Sequence, residues 1–315
     1  MKKYILCSVI ALGSLSCTDS FLEEKMVSTI TQDYFETEQG LEQLIVGTYD
    51  ALRVTKQYEQ GPSTFMSGVD NFTNKTPNRG MYSPSEWNAT GRFANWANSL
   101  CGENSKSLLG FYPIINNCNR AILSIREGKA LGKFATDAEY AARSLSEALF
   151  NRAYSVYIMS TMYGAIYVPQ GYTTELPSNY NYMRQSVPGI YSMLIGDLRY
   201  AYDHLPDVSE QNLSADFGRA TKGAAAHFLA KLYLQRAQAE TAEYGVDVNG
   251  NVDTSNPKSY LGMLYKGKGT ADLDSCIYYA SAVIDNGYYE LESDFGKLFS
   301  HPLNDYSNEN SRELI

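Results

Sequence analysis

The sequence predicts an all-α protein: tetratricopeptide-like antiparallel helix pairs with long irregular loops on a ligand-facing side. Three observations lead there. Apolar residues recur at three- and four-residue spacing along six segments, no comparable stretch alternates with period two, and small residues occupy packing positions within the helical stripes. The full tetratricopeptide consensus is absent, so the prediction rests on periodicity.

In chain order, Leu41, Leu44, Ile45, Thr48 and Leu52 mark the first stripe, and Ile114, Cys118, Ala121, Ile122 and Ile125 the second. The third is longer and runs through Leu145, Ala148, Leu149, Arg152, Ala153, Val156, Tyr157 and Ser160. Ahead of it, Thr136-Asp137-Ala138-Glu139 has the spacing of a capping box, with Thr136 as the cap. A fourth stripe holds Tyr191, Leu194, Ile195, Leu198, Tyr202 and Leu205, and Pro206 ends it. The fifth holds Ala225, Phe228, Leu229, Leu232 and Tyr233, with Ala224 to Ala226 allowing close backbone approach. Ile277, Ala280 and Ile284 make the sixth, which Asn286-Gly287 would stop.

Between the helices, residues 60–105 are rich in Gly, Pro, Asn, Ser and Thr, and residues 164–188 and 239–270 are similar. Irregular stretches of that length in a compact domain are functional or disordered. The first contains both tryptophans, Trp87 and Trp96, with Tyr82, Arg79, Asn78 and Asp70. Disorder rarely concentrates aromatics, so this segment reads as an ordered surface facing a ligand. Trp87, Trp96 and Tyr82 would stack on it, while Arg79, Asn78 and Asp70 would make polar contacts. Helix packing is the competing reading for Trp96, which sits in the helix-like run Phe93-Ala94-Asn95-Trp96-Ala97, and both readings stand for Trp87.

At the N-terminus, Lys2 and Lys3 precede an uncharged apolar segment, Tyr4 to Leu15. It is too short to span a bilayer as a helix and fits a secretory signal. Leu15-Ser16-Cys17 at its end resembles a bacterial lipobox, which makes residues 1–16 a lipoprotein signal peptide and Cys17 the lipidated residue. Two or more acyl chains suffice for stable anchoring. The run Thr18, Asp19, Glu23, Glu24 reads as a lipidated tether over 17–30, ahead of one helical domain over 31–315. Ordinary cleavage nearby, leaving Cys17 free, is the alternative.

A formal net charge of -9 and the lack of a basic run argue against nucleic acid as a partner. Cys101, Cys118 and Cys276 have no CxxC spacing, which points to buried small hydrophobes with one possible pair. His204, His227 and His301 are far apart and no HExxH occurs, so no metal site is expected. There is no GxSxG elbow, and Gly267-Lys268-Gly269-Thr270 reads as a surface turn rather than a phosphate cradle. Nothing marks two carboxylates as an acid–base pair. The expectation is therefore no catalytic residue, no cofactor and no enzyme. Tyrosine is abundant, 26 residues against 12 Phe, which leans an acidic secreted chain toward polar ligands such as sugars. Tyrosine also fills helix interfaces.

Seven segments in order resemble the SusD/RagB family of outer-membrane nutrient-binding lipoproteins. Phe21-Leu22-Glu23-Glu24 resembles its opening tether, and Phe35 with Gly47-Thr48-Tyr49-Asp50-Ala51-Leu52-Arg53 its first helix. Tyr112 to Ala121, with Ile115, Asn116, Asn119 and Arg120, resembles the next. Glu147-Ala148-Leu149-Phe150-Asn151-Arg152-Ala153-Tyr154, running to Tyr163-Gly164 and Val168-Pro169, is the best match, with two extra residues before Val-Pro. Asp197-Leu198 to Leu205-Pro206, Gly218-Arg219-Ala220-Thr221-Lys222-Gly223-Ala224-Ala225, and Ala280 to Tyr289 complete the series. Arginine in such motifs can pair with carboxylates or carbonyls, so Arg152 and Arg219 read as scaffold.

The resemblance implies a surface-exposed glycan- or nutrient-binding lipoprotein in the outer membrane, acting as lid of a SusC-type TonB-dependent transporter. The alternative is a tetratricopeptide-like lipoprotein adaptor that binds a peptide or protein. Ser307 to Ile315 resembles a segment that lies mid-chain in the family, so the expectation is a domain incomplete at its C-terminus.

Overall fold

The computed structural model describes residues 32–57, 110–169, 171, 182–210, 218–244 and 269–294. Among them are seven α-helices: α1 (Glu38–Gln57), α2 (Phe111–Arg126), the one-turn α3 (Lys133–Thr136), α4 (Ala138–Tyr163), α5 (Val187–His204), α6 (Lys222–Tyr244) and α7 (Gly269–Ile284). Short 3-10 turns occupy Gln32–Glu36 and Val208–Glu210. The described residues form no strand, only an antiparallel bridge between Ile166 and Gln185. All seven helices fall in one unit, Phe35–Ile315, and the chain up to Tyr34 forms another.

Each long helix packs on the next: α1 on α2, α2 on α4, α4 on α5, α5 on α6 and α6 on α7. This is the serial, neighbour-on-neighbour packing of a tetratricopeptide-like array. The centre is α4, which also receives α1 and α3 and is therefore buried on more than one side. All eight residues of its sequence stripe are buried, from Leu145 to Ser160. So are Ser146, Asn151 and Ser155 outside that stripe. Burying these polar groups is tolerable because each is satisfied. Ser146 and Ser155 donate to the carbonyls one turn back, and Asn151 donates to Thr48 of α1 at 2.9 Å.

Tyrosine does much of the packing. Phe228 of α6 meets Phe150, Tyr154 and Tyr157 of α4 edge-on. Tyr279 of α7 sits against Tyr202 of α5 and Tyr233 of α6. A close approach is also enforced at Gly223, where any Cβ would collide with the Tyr289 ring.

Four local expectations change. The cap of α4 is Asp137, not Thr136: its carboxylate accepts from the N–H groups of Glu139 and Tyr140. Thr136 is instead the last residue of α3, with its hydroxyl donating to the Gly132 carbonyl. In α7 the buried positions are Asp272, Tyr279 and Val283, whereas Ile277 and Ile284 are 63% and 73% exposed. The reason is an ion pair: Arg236 of α6 holds Asp272 at 2.5 and 2.6 Å, and this fixes the rotation of α7. The stretch 239–270 is helical at both ends, since α6 reaches Tyr244 and α7 begins at Gly269. Gly269 and Thr270, read as part of a surface turn, are therefore in the first turn of α7. The termination signals hold: α5 stops at His204 before Pro206, and Gly287 adopts φ 80 just past α7.

Cys118 and Cys276 are free thiols, so they do not form the possible pair, and Cys101 lies outside the described residues. Burial pushes the Cys118 thiol up to about 12, leaving almost no thiolate at neutral pH. Maleimide at about pH 8 is expected to label Cys276 in the native chain and Cys118 only after urea unfolding, read by peptide mass spectrometry. Equal native labelling of both would contradict the buried position of Cys118.

Candidate functional site

Arg152 is the centre of the buried polar network. Its guanidinium is buried in α4 and must find acceptors there, because an unpaired buried cation is not tolerated. Asp197 of α5 accepts from Nε and Nη2 at 2.7–2.9 Å, a forked pairing that fits the guanidinium plane. Nη1 donates to Asn119 Oδ1 of α2 at 2.8 Å. Asn119 in turn donates from Nδ2 to the Pro169 carbonyl at 2.9 Å. One arginine thus joins three helices to the segment that follows α4. Burial raises the Asp197 carboxyl, against the lowering pull of Arg152, so its charge depends on that partner.

The segment after α4 is held at several points. Tyr112 of α2 donates its hydroxyl to the Tyr167 carbonyl at 2.9 Å. Ile166 and Val168 are buried, whereas Tyr167 between them is half-buried. Across the bridge, the Gln185 N–H donates to the Ile166 carbonyl at 2.8 Å. Tyr182, 53% exposed, meets Tyr167 edge to face, with ring centroids 5.3 Å apart and planes at 74°. Met183 beside it is 67% exposed.

A second polar cluster gathers around Glu147 of α4, 1% exposed. Its carboxylate accepts from Arg219 Nε at 2.8 Å and from the Tyr49 hydroxyl at 2.9 Å. Arg219 also reaches Glu42 of α1 at 2.6 Å, and Tyr49 accepts from the Ala220 N–H at 3.0 Å. Burial raises the Glu147 carboxyl and, by a wide margin, the Tyr49 hydroxyl. Neither arginine faces open solvent, which fits their reading as scaffold.

An open groove of about 1030 Å³ runs between the start of α4 and the end of α5, lined by Tyr140, Arg143, His204, Asp207 and Lys222 among others. Its polar lining is largely taken up by helix ends and turns. Asp137 caps α4, Tyr140 donates to Glu42 at 3.2 Å, and Asp207 accepts from Asn286 at 2.8 Å. No cluster of His, Cys, Asp or Glu able to hold a metal ion occurs among the described residues.

The expected ligand residues Trp87, Trp96, Tyr82, Arg79, Asn78 and Asp70 all lie outside the described residues, as does Cys17. What the sequence reading missed is the Tyr167–Tyr182 pair. Its signal was the alternation Ile166-Tyr167-Val168, two buried residues flanking a half-buried tyrosine inside a stretch read as irregular.

A family model described as "SusD-like_3: Starch-binding associating with outer membrane" matches residues 20–234. The chain belongs to this SusD-like family. A SusD-like protein of Bacteroides ovatus is 26% identical over all of this chain and 49% of its own length. SusD-like protein P2 of Formosa agariphila is 24% identical over 91% of this chain and 55% of its own. The chain thus spans about half the length of the curated relatives it matches. Among solved structures, NanU of B. fragilis aligns with a TM-score of 0.56 at 16% identity, over 92% of this chain and 49% of that one. That is a likeness of fold. Arg152, Asp197 and Asn119, which carry part of the SusD-like resemblance, are buried in the helical core.

Removing one partner of the buried pair should be costly. Asp197→Ala is expected to lose about 3–5 kcal/mol of stability in urea unfolding. The double variant Arg152→Met with Asp197→Leu should lose clearly less, because no charge remains buried alone. A double variant as unstable as the single one would contradict this assignment.

Proposed function

We propose that this chain is part of a non-catalytic, surface-exposed lipoprotein that binds glycan at the outer membrane and acts as the lid of a SusC-type TonB-dependent transporter. The observation that carries the reading is the family match over residues 20–234, whose description joins starch binding to the outer membrane. The helical array supports it: a packed body can move as a unit over a transporter while loops make the ligand contacts. Aromatic faces would stack on pyranose rings, and Arg, Asn and Asp would hydrogen-bond the hydroxyls. Trp87, Trp96 and Tyr82, with Arg79, Asn78 and Asp70, are the proposed contacts in the 60–105 segment. Residues 1–16 would be the signal peptide and Cys17 the lipidated residue, with 17–30 as tether to a helical domain over 31–315.

Electrophoresis through gels cast with amylopectin, xyloglucan or pectic galactan tests the binding claim. At least one polysaccharide is expected to retard the chain, and Trp87→Ala together with Trp96→Ala should weaken that retardation about tenfold. Lack of retardation by all three, with co-purification of a peptide or protein instead, would favour the adaptor reading. The anchor is tested separately by radiolabelled palmitate. The wild type is expected to incorporate label into membranes, and Cys17→Ala to incorporate none. Label retained in the variant would exclude Cys17 as the lipid site.

A further inference from the structure

We propose that Tyr182, backed edge to face by Tyr167, forms a second glycan contact, a single aromatic face for one pyranose ring outside the tryptophan segment. The proposal rests on the glycan-binding reading above and adds a place on the fold. Exposed tyrosine alone would mean little, since folded surfaces carry many apolar atoms. Here the setting is specific. The pair is edge to face, and Tyr182 is 53% exposed beside Met183 at 67%. The ring of Tyr182 is buttressed along one side by Tyr167, and its exposed area is continuous in sequence with a second exposed apolar side chain.

The support is rigid where most loops are not. The Tyr167 carbonyl accepts from Tyr112, the Pro169 carbonyl accepts from Asn119, and the Ile166–Gln185 bridge joins the two halves of the loop. Buried Ile166 and Val168 anchor the chain on either side of Tyr167. The backing of Tyr182 is thus fixed before a ligand lands, which limits the freedom lost in a weak, ring-by-ring contact. A pyranose ring suits it: its axial C–H groups meet the exposed ring face. The groove at α4 and α5 lacks this preparation, because its polar groups serve helix ends.

The test uses the whole chain and whichever of amylopectin, xyloglucan or pectic galactan retards it. Tyr182→Ala is expected to lower affinity about threefold to tenfold, and Tyr182→Trp to keep it, with unchanged urea midpoints in both. Wild-type affinity in Tyr182→Ala would overturn this second contact while leaving the glycan reading intact. A wild-type chain that none of the three polysaccharides retards would overturn both. A loss in Tyr182→Ala accompanied by a lowered urea midpoint would overturn the second contact too, since the residue would then be structural.

Discussion

The positions of α2, α5 and the segment after α4 follow from one constraint: the Arg152 guanidinium is inside a helical core and its donors must be met. Asp197 supplies charge and a matching fork, Asn119 supplies an amide oxygen, and the other end of that amide holds the Pro169 carbonyl. Each bond fixes a partner in distance and angle, so α2, α5 and the segment after α4 share one frame. Such a network contributes little net stability once desolvation is counted, but any half-satisfied arrangement is strongly disfavoured. Its effect is to select one packing of the helices among several that would bury similar apolar area.

The Glu147 cluster performs the same selection between parts of the chain far apart in sequence. Arg219 and Glu42 are 177 positions apart, and their contact seats the turn before α6 on α1. Arg236 with Asp272 then sets the rotation of α7 on α6. In a serial array, where neighbours meet mainly through apolar stripes, ridges and grooves allow more than one crossing angle. These three buried or half-buried arginines remove that freedom, one interface at a time.

This explains what could be read in advance. Stripes of α1, α2, α4, α5 and α6 were legible because each faces its neighbours through apolar residues at helical spacing. For α7 the same rule chose Ile277 and Ile284, which are exposed, since a charged residue, Asp272, decides the inward face. The capping residue was misplaced by one because Thr136 and Asp137 are both good caps, and only the preceding turn α3 shows which is used. At the candidate site, composition drew attention to the tryptophans at 87 and 96, which lie outside the described residues. The tyrosine pair is marked only at Tyr167, by the short alternation Ile166-Tyr167-Val168; nothing in the sequence ties it to Tyr182, one tyrosine among 26. It emerges only when the bridge brings residues 166 and 185 together.

The most direct measurement is amide hydrogen exchange of the wild type against Asn119→Ala, followed by mass spectrometry. If the buried network holds the segment after α4, exchange should accelerate at Tyr167, Val168 and Gln185 while the centre of α4 stays protected. Faster exchange confined to α2, with the Gln185 amide as protected as before, would mean that the loop and its aromatic pair are held by something other than the Arg152 network.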